Sequence, residues 1–221
     1  GQLTEEAVLQ FCSRYPNVIV DNTQAYFAMP DRGVQTIYSC RKYFGVADGA
    51  FLYTDHTEGY EDLPRDSSCE HMHFLLSRCE NPASDTYNEY VANNARFHTL
   101  PLRRMSPLTE LLLRRIDYEE AKRKRTDNFR TLHDRLGRYN RLDLRVPEGA
   151  FAYPLWIEDG EALRKKAIAQ KVYIPVLWPD VCEKTGRDTL EHQMAADILP
   201  LPCDQRYGAE EMKQICEVLG L

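Results

Sequence analysis

The sequence predicts an α/β layer over residues 1–116, followed by a long helix and a small α+β domain over 117–221. Three observations carry this. Short β-type runs alternate with helical patterns in the first half. A long, highly charged helical pattern opens at Asp117. Beyond it, proline-bearing strand runs flank helices, ending in an amphipathic tail.

The elements follow in order. Thr4, Glu5 and Glu6 open a short helix carrying Val8, Leu9, Phe11 and Cys12, with Pro16 beyond its end. Three strand runs come next, at 17–20, 35–38 and 50–54, and an α/β layer would pair them in parallel. Residues 56–68, rich in Asp, Glu, Gly and Pro, read as an exposed loop. Helical patterns cover 69–79 and 84–97, with Asn81-Pro82 between them. Ser106-Pro107 is a helix start, serine at the cap and proline at the first helical position.

Asp117-Tyr118-Glu119-Glu120 is an acidic capping box for a helix that runs to Leu136 and stops at Gly137. The second domain then offers strand runs at 151–157 and 172–176, a helix at 161–170 and a short strand at Ile198-Leu199. Met212, Ile215, Cys216 and Leu219 mark one buried face of a final helix. Pro154 and Pro175 keep their strands out of a central ladder position, because proline donates no hydrogen bond.

Composition narrows the function classes. Hydrophobic residues make up 43% of the 221, enough for a globular core, and no apolar stretch approaches the roughly 20 residues of a membrane span. No basic-then-apolar leader opens the chain. The net charge of −6 speaks against nucleic acid and anionic membranes as partners. Seven cysteines without a Cys-x-x-Cys pair fit reduced thiols in the cytoplasm.

The chemistry centres on Lys42. The run 18–20 ends in a carboxylate at Asp21, and 21 residues later Lys42 follows the next strand run. Pyridoxal phosphate (PLP) needs this pair: an amine to hold its aldehyde, and a carboxylate to keep its pyridine nitrogen protonated. Read singly, Asp21 is a turn-capping carboxylate, Ser39 a strand-end hydroxyl and Lys42 a surface amine beside core aromatics. Cys69, His71 and His73 do not share a helix face and lack a fourth ligand, so no metal site is expected. The basic run 122–125, flanked by Glu119, Glu120 and Asp127, reads as the solvated side of the long helix.

The segments 20–25 and 39–42 resemble the cofactor segment of fold-type I PLP enzymes, and most closely the DegT/DnrJ/StrS sugar aminotransferases. Arg104-Met105-Ser106, residues 172–180 and Leu199-Pro200-Leu201-Pro202 resemble segments of that family's second half. The resemblance implies the C-terminal part of a fold-type I PLP-transferase large domain plus the small C-terminal domain. It implies PLP as cofactor, with Lys42 catalytic and Asp21, Gln24, Ser39, Lys42 and Arg104 binding the cofactor. Ser39 would contact the phosphate, and Gln24 the 3′ oxygen or the underside of the ring. The partners implied are a second copy in a homodimer, an amino donor, and a keto acceptor such as a nucleotide-linked sugar.

The sequence also departs from the family. Asp21 comes almost at once, where family members carry a long N-terminal half with a Gly/Ser/Thr-rich phosphate turn and a ring-stacking aromatic. The glycines here are scattered singly. The serine lies closer to the lysine than usual, and Val46-Ala47-Asp48-Gly49 replaces a Gly-Glu-Gly-Gly turn. Leu102 stands where an asparagine reaches the neighbour's phosphate, so Arg103 or Arg104 would take that role. The competing expectation is a non-catalytic fragment or pseudoenzyme domain that serves as a dimerising scaffold.

Overall fold

The computed structural model describes residues 5–221, and the cap expected at Thr4 lies outside them. The chain divides into two compact units, the first ending at Asp117 and the second covering Tyr118–Leu221. None of the helices among the described residues is long and apolar enough to cross a membrane.

In the first unit, α1 (Glu5–Arg14) precedes a three-stranded sheet of β1 (Ile19–Asp21), β2 (Gln35–Ser39) and β3 (Ala50–Tyr53), in the order β1-β2-β3. Val8 of α1 is buried with Val20 and Val34, while Leu9 and Phe11 remain exposed. Strand β1 runs parallel to β2, with Ile19 opposite Gln35 and Asp21 opposite Ile37. The all-parallel pairing expected from the sequence fails at β3, which pairs antiparallel with β2, Thr36 opposite Tyr53 and Ser39 opposite Ala50. The segment 40–49 is too short for the crossover a parallel partner requires, so the chain turns back on itself.

Helical structure follows the loop. The pattern over 69–79 breaks into 3₁₀ turns at Cys69–His71 and Ser77–Cys79 around the single-turn α2 (His73–Leu76). Helix α3 (Tyr87–Arg96) and helix α4 (Pro107–Leu113) complete the unit. Ser106 caps α4 as its sequence signals, its hydroxyl accepting from the Thr109 N–H at 3.1 Å.

The second unit is organised by α5 (Tyr118–Leu136), which buries Ala121, Arg125, Asn128, Phe129, Leu132 and Leu136 along one face. Arg125 therefore leaves the basic run and turns inward. Its Nη1 donates to the Ala150 carbonyl at 2.9 Å and its Nε to Gln205 Oε1 at 2.6 Å. Lys122 and Arg123 stay outside, paired with Glu119 and Glu120. Strands β4 (Ala152–Trp156) and β5 (Ile198–Pro202) form an antiparallel pair. Tyr153 and Leu155 face Leu201 and Leu199 in the core, and Pro154 lies opposite Pro200, so both missing N–H groups fall on one rung.

Helix α9 (Ala209–Leu219) closes that core with Met212, Ile215, Cys216 and Leu219, the face expected from its spacing. Between the strands lie α6 (Gly160–Ala169), α7 (Pro179–Lys184) and α8 (Leu190–Asp197). The strand expected at 172–176 does not form. Lys171 takes a positive φ of 64°, Pro175 withholds a donor, and Ile174 reaches the core from irregular chain.

Candidate functional site

The site grows from the ends of two neighbouring parallel strands. Asp21 closes β1 and turns the chain: its Oδ1 accepts from the Thr23 N–H at 2.9 Å, a carboxylate folding back on a donor two residues ahead. Strand β2 ends at Ser39, and a 3₁₀ turn over Cys40–Lys42 lifts Lys42 over the end of the sheet. There Lys42 Nζ donates to Thr23 Oγ1 at 3.4 Å. Thr23 thus joins the amine to the carboxylate.

Burial on one side of the lysine holds its ammonium below the ordinary lysine value. Asp21 pulls in the opposite direction, and Arg41 adds to the lowering. The Arg41 guanidinium itself faces α3, donating to Asn94 Oδ1 at 2.6 Å and lying 4.1 Å over the Phe97 ring. Taken as a whole residue Lys42 is exposed, while its amine is held on one side by the Thr23 hydroxyl.

Aromatic rings floor this corner. Tyr26, just after the Asp21 turn, meets Phe44 edge-on at 4.9 Å and lies 5.5 Å from Tyr43. Tyr38 Oη donates to the Ala28 carbonyl at 2.9 Å, fixing the turn segment against β2. Such contacts make the turn that presents Asp21 and Thr23 a packed element instead of a free loop.

Of the residues singled out in the sequence, Asp21 and Lys42 are brought together through Thr23. Gln24 sits half-buried in the same turn. Ser39 ends β2 half-buried, and its side chain makes no cap bond to the 3₁₀ turn. Arg104 is not drawn to this corner by its hydrogen bonds: its Nε donates to the Leu63 carbonyl at 3.1 Å, and its backbone bridges to Arg65. His73 pairs with Glu89 at 2.9 Å. Among the described residues no group of three or more His, Cys, Asp or Glu stands ready for a metal ion.

Sequence reasoning passed over Thr23 and Asp48. Thr23 carried a signal, since Asp-x-Thr after a strand is a turn in which the second residue's side chain stays near the first. Asp48, in an Asp-Gly pair, read as an ordinary turn residue. It is instead buried, accepting from the Ser106 N–H at 2.7 Å, from Ser106 Oγ at 2.9 Å and from the Thr109 hydroxyl.

Among solved structures the chain is similar to a DegT DnrJ EryC1 StrS aminotransferase from Brucella abortus, with a TM-score of 0.59 and 13% identity. It is also similar to a protein assigned as a PLP-dependent aminotransferase from Bacillus cereus ATCC 10987, with a TM-score of 0.56 and 14% identity. Each match covers 99% of this chain but only 61% and 62% of those chains. No protein-family model matches the sequence, and no curated protein is significantly similar to it. The likeness is one of fold: the chain has the α/β architecture of these aminotransferases and spans about three fifths of their length. At that level the resemblance read from the sequence holds.

Proposed function

We propose that this chain is the C-terminal, lysine-bearing portion of a PLP-dependent aminotransferase, with Lys42 as the cofactor-binding amine and Asp21 as the carboxylate at the pyridine nitrogen. The observation that carries this reading is the Asp21–Thr23–Lys42 contact chain at the ends of adjacent parallel strands. The donor set fits the aldehyde and pyridine ends of PLP: an amine with its ammonium disfavoured by burial, next to a carboxylate. When bound, the cofactor supplies an electron sink for charge developing on the substrate carbon.

The chain's own residues then have distinct tasks. Lys42, neutral more readily than a free lysine, would capture the aldehyde and afterwards take up and return a proton at Nζ. Asp21 would hold the pyridine N–H. Ser39 would contact the phosphate, Gln24 the ring or its 3′ oxygen, and Arg104 a phosphate across a homodimer. The amino donor would be an amino acid, the acceptor a keto sugar or related carbonyl compound, and the compartment the cytoplasm. A phosphate cradle would come from the part of the fold that this chain does not span.

A second reading, a non-catalytic dimerising domain, draws on a specific observation: Asp21 already serves as the cap of its own turn, through the Thr23 N–H. One experiment separates the two. The protein is incubated with PLP, reduced with borohydride and mapped by peptide mass. A pyridoxyl group on Lys42 is expected. Label spread over Lys165, Lys166 and Lys184, with none at Lys42, overturns the first reading.

A further inference from the structure

We propose that Asp48 is a positioning residue for Lys42: its buried carboxylate clamps the 40–49 loop to the start of α4 and thereby fixes the base from which the amine works. The inference rests on the reading of Lys42 as the reactive amine and extends it to a residue six positions on.

A buried carboxylate is costly unless donors surround it. Asp48, 2% exposed, meets three: the Ser106 N–H, the Ser106 hydroxyl and the Thr109 hydroxyl. The Ser106 hydroxyl has one proton to give, and Asp48 takes it. Its remaining capacity is filled from the Thr109 N–H at 3.1 Å and from Ser68 Oγ at 2.6 Å, so Ser68 must be the donor of that pair. Every hydroxyl orientation here is fixed by its neighbours.

The rest of the loop is tied down to match. The Cys40 N–H donates to the Gly49 carbonyl at 3.1 Å, closing the loop at its neck. Asn93 Nδ2 donates to the Ala47 carbonyl at 2.9 Å. Gly49 has a φ of 105°, and a Cβ there would come within 3.0 Å of the Thr109 side chain and 3.1 Å of Met105, so only glycine lets Asp48 reach α4. With Arg41 anchored on α3, the backbone on both sides of Lys42 is held. A lysine side chain that works from a held backbone suits an amine that must leave Thr23 and return to a fixed point.

The test uses the full chain, with Asp48→Asn compared to wild type by two readouts. One is the borohydride-fixed pyridoxyl adduct at Lys42, normalised to Lys165. The other is competitive trace acetylation of Lys42 across pH, which needs no cofactor. The groups facing Lys42 are Asp21 from β1, Thr23 from the turn and Arg41 from its own 3₁₀ turn, all unchanged in this variant. The expected result is an adduct lower by about fivefold or more, with the acetylation profile of Lys42 displaced to higher pH as the loosened loop hydrates the amine. Leu155→Ala, a core change in the second unit, should cost stability and leave both readouts alone. If Asp48→Asn does not fold, Thr109→Val removes one donor and carries the test, with an expected drop of about twofold. A folded Asp48→Asn protein with both readouts unchanged overturns the proposal. Wild type unlabelled at Lys42 overturns the cofactor reading instead, and the acetylation profile still decides the role of Asp48.

Discussion

The hydroxyl of Thr23 accepts a hydrogen bond from Lys42 Nζ at 3.4 Å. Because the Thr23 N–H is held by Asp21 at 2.9 Å, the residue couples the only carboxylate on β1 to the amine beyond β2. Asp21 favours the charged form of Lys42, and Thr23 links the two through its N–H and its hydroxyl.

Asp21→Asn should therefore move the titration of Lys42 in a defined direction. Asp21 favours the ammonium and opposes the effect of burial. Removing its charge lowers the Lys42 value further, so the neutral, reactive amine appears at lower pH. Asparagine can still accept from the Thr23 N–H, so the turn survives. Trace acetylation of Lys42 across pH reads this directly. An unchanged profile would mean that Asp21 only caps its turn. With PLP and both substrates supplied to a complete site, the same variant should slow transamination by several kcal/mol of barrier, where about 1.4 kcal/mol is tenfold.

How much of this was legible in the sequence depends on how local each feature is. Strands β1 and β2, the Ser106-Pro107 helix start and the face of α9 follow from neighbours a few residues away, and the sequence displays them. The direction of β3 is not local. It depends on the span of the 40–49 loop, which left no room for a crossover. Pro175 was read as barring a central strand, but with Lys171 at positive φ it barred the strand altogether. Asp48 was illegible for a different reason: its partners lie 58 and 61 residues ahead, and nothing near it in sequence marks it as buried.

Thiol reactivity offers a check on both units at once. Burial, reinforced by Asp48, pushes the Cys40 thiol up to about 12, and burial pushes Cys203 up to about 12 as well. Almost no thiolate exists at either in the ordinary alkylation range of about pH 8. Cys69 and Cys79 are exposed. Alkylation followed by peptide mapping should modify Cys69 and Cys79 rapidly and spare Cys40 and Cys203 until denaturant is added. Rapid modification of Cys40 in the native protein would contradict the clamped loop.

The second unit should be sensitive to the core face of β4. Leu155 is fully buried among residues of α5, β5 and α9. Truncating it leaves a cavity that the surrounding side chains fill only in part. Leu155→Ala is expected to destabilise the unit by about 2–5 kcal/mol, seen as an earlier midpoint in urea and earlier alkylation of Cys203 and Cys216. A shift below about 1 kcal/mol would mean that this core collapses around the gap.

Assembly is the last expectation, and it follows from the sheet of the first unit. Both β1 and β3 are edge strands in the order β1-β2-β3. Ile19 is 64% exposed, and Phe51, Leu52 and Tyr53 are exposed in succession along β3. Unpaired backbone groups bordered by apolar side chains invite another strand or another sheet face. The protein is therefore expected to self-associate, with light scattering reporting a mass that rises with concentration. Lysine placed on the edges, as Ile19→Lys together with Leu52→Lys, should return it towards the monomer, because a charge on an edge opposes pairing at little cost to the fold. A wild-type protein that stays monomeric at high concentration and unfolds cooperatively would show that these strands need no cover, and that the first unit is complete as a domain.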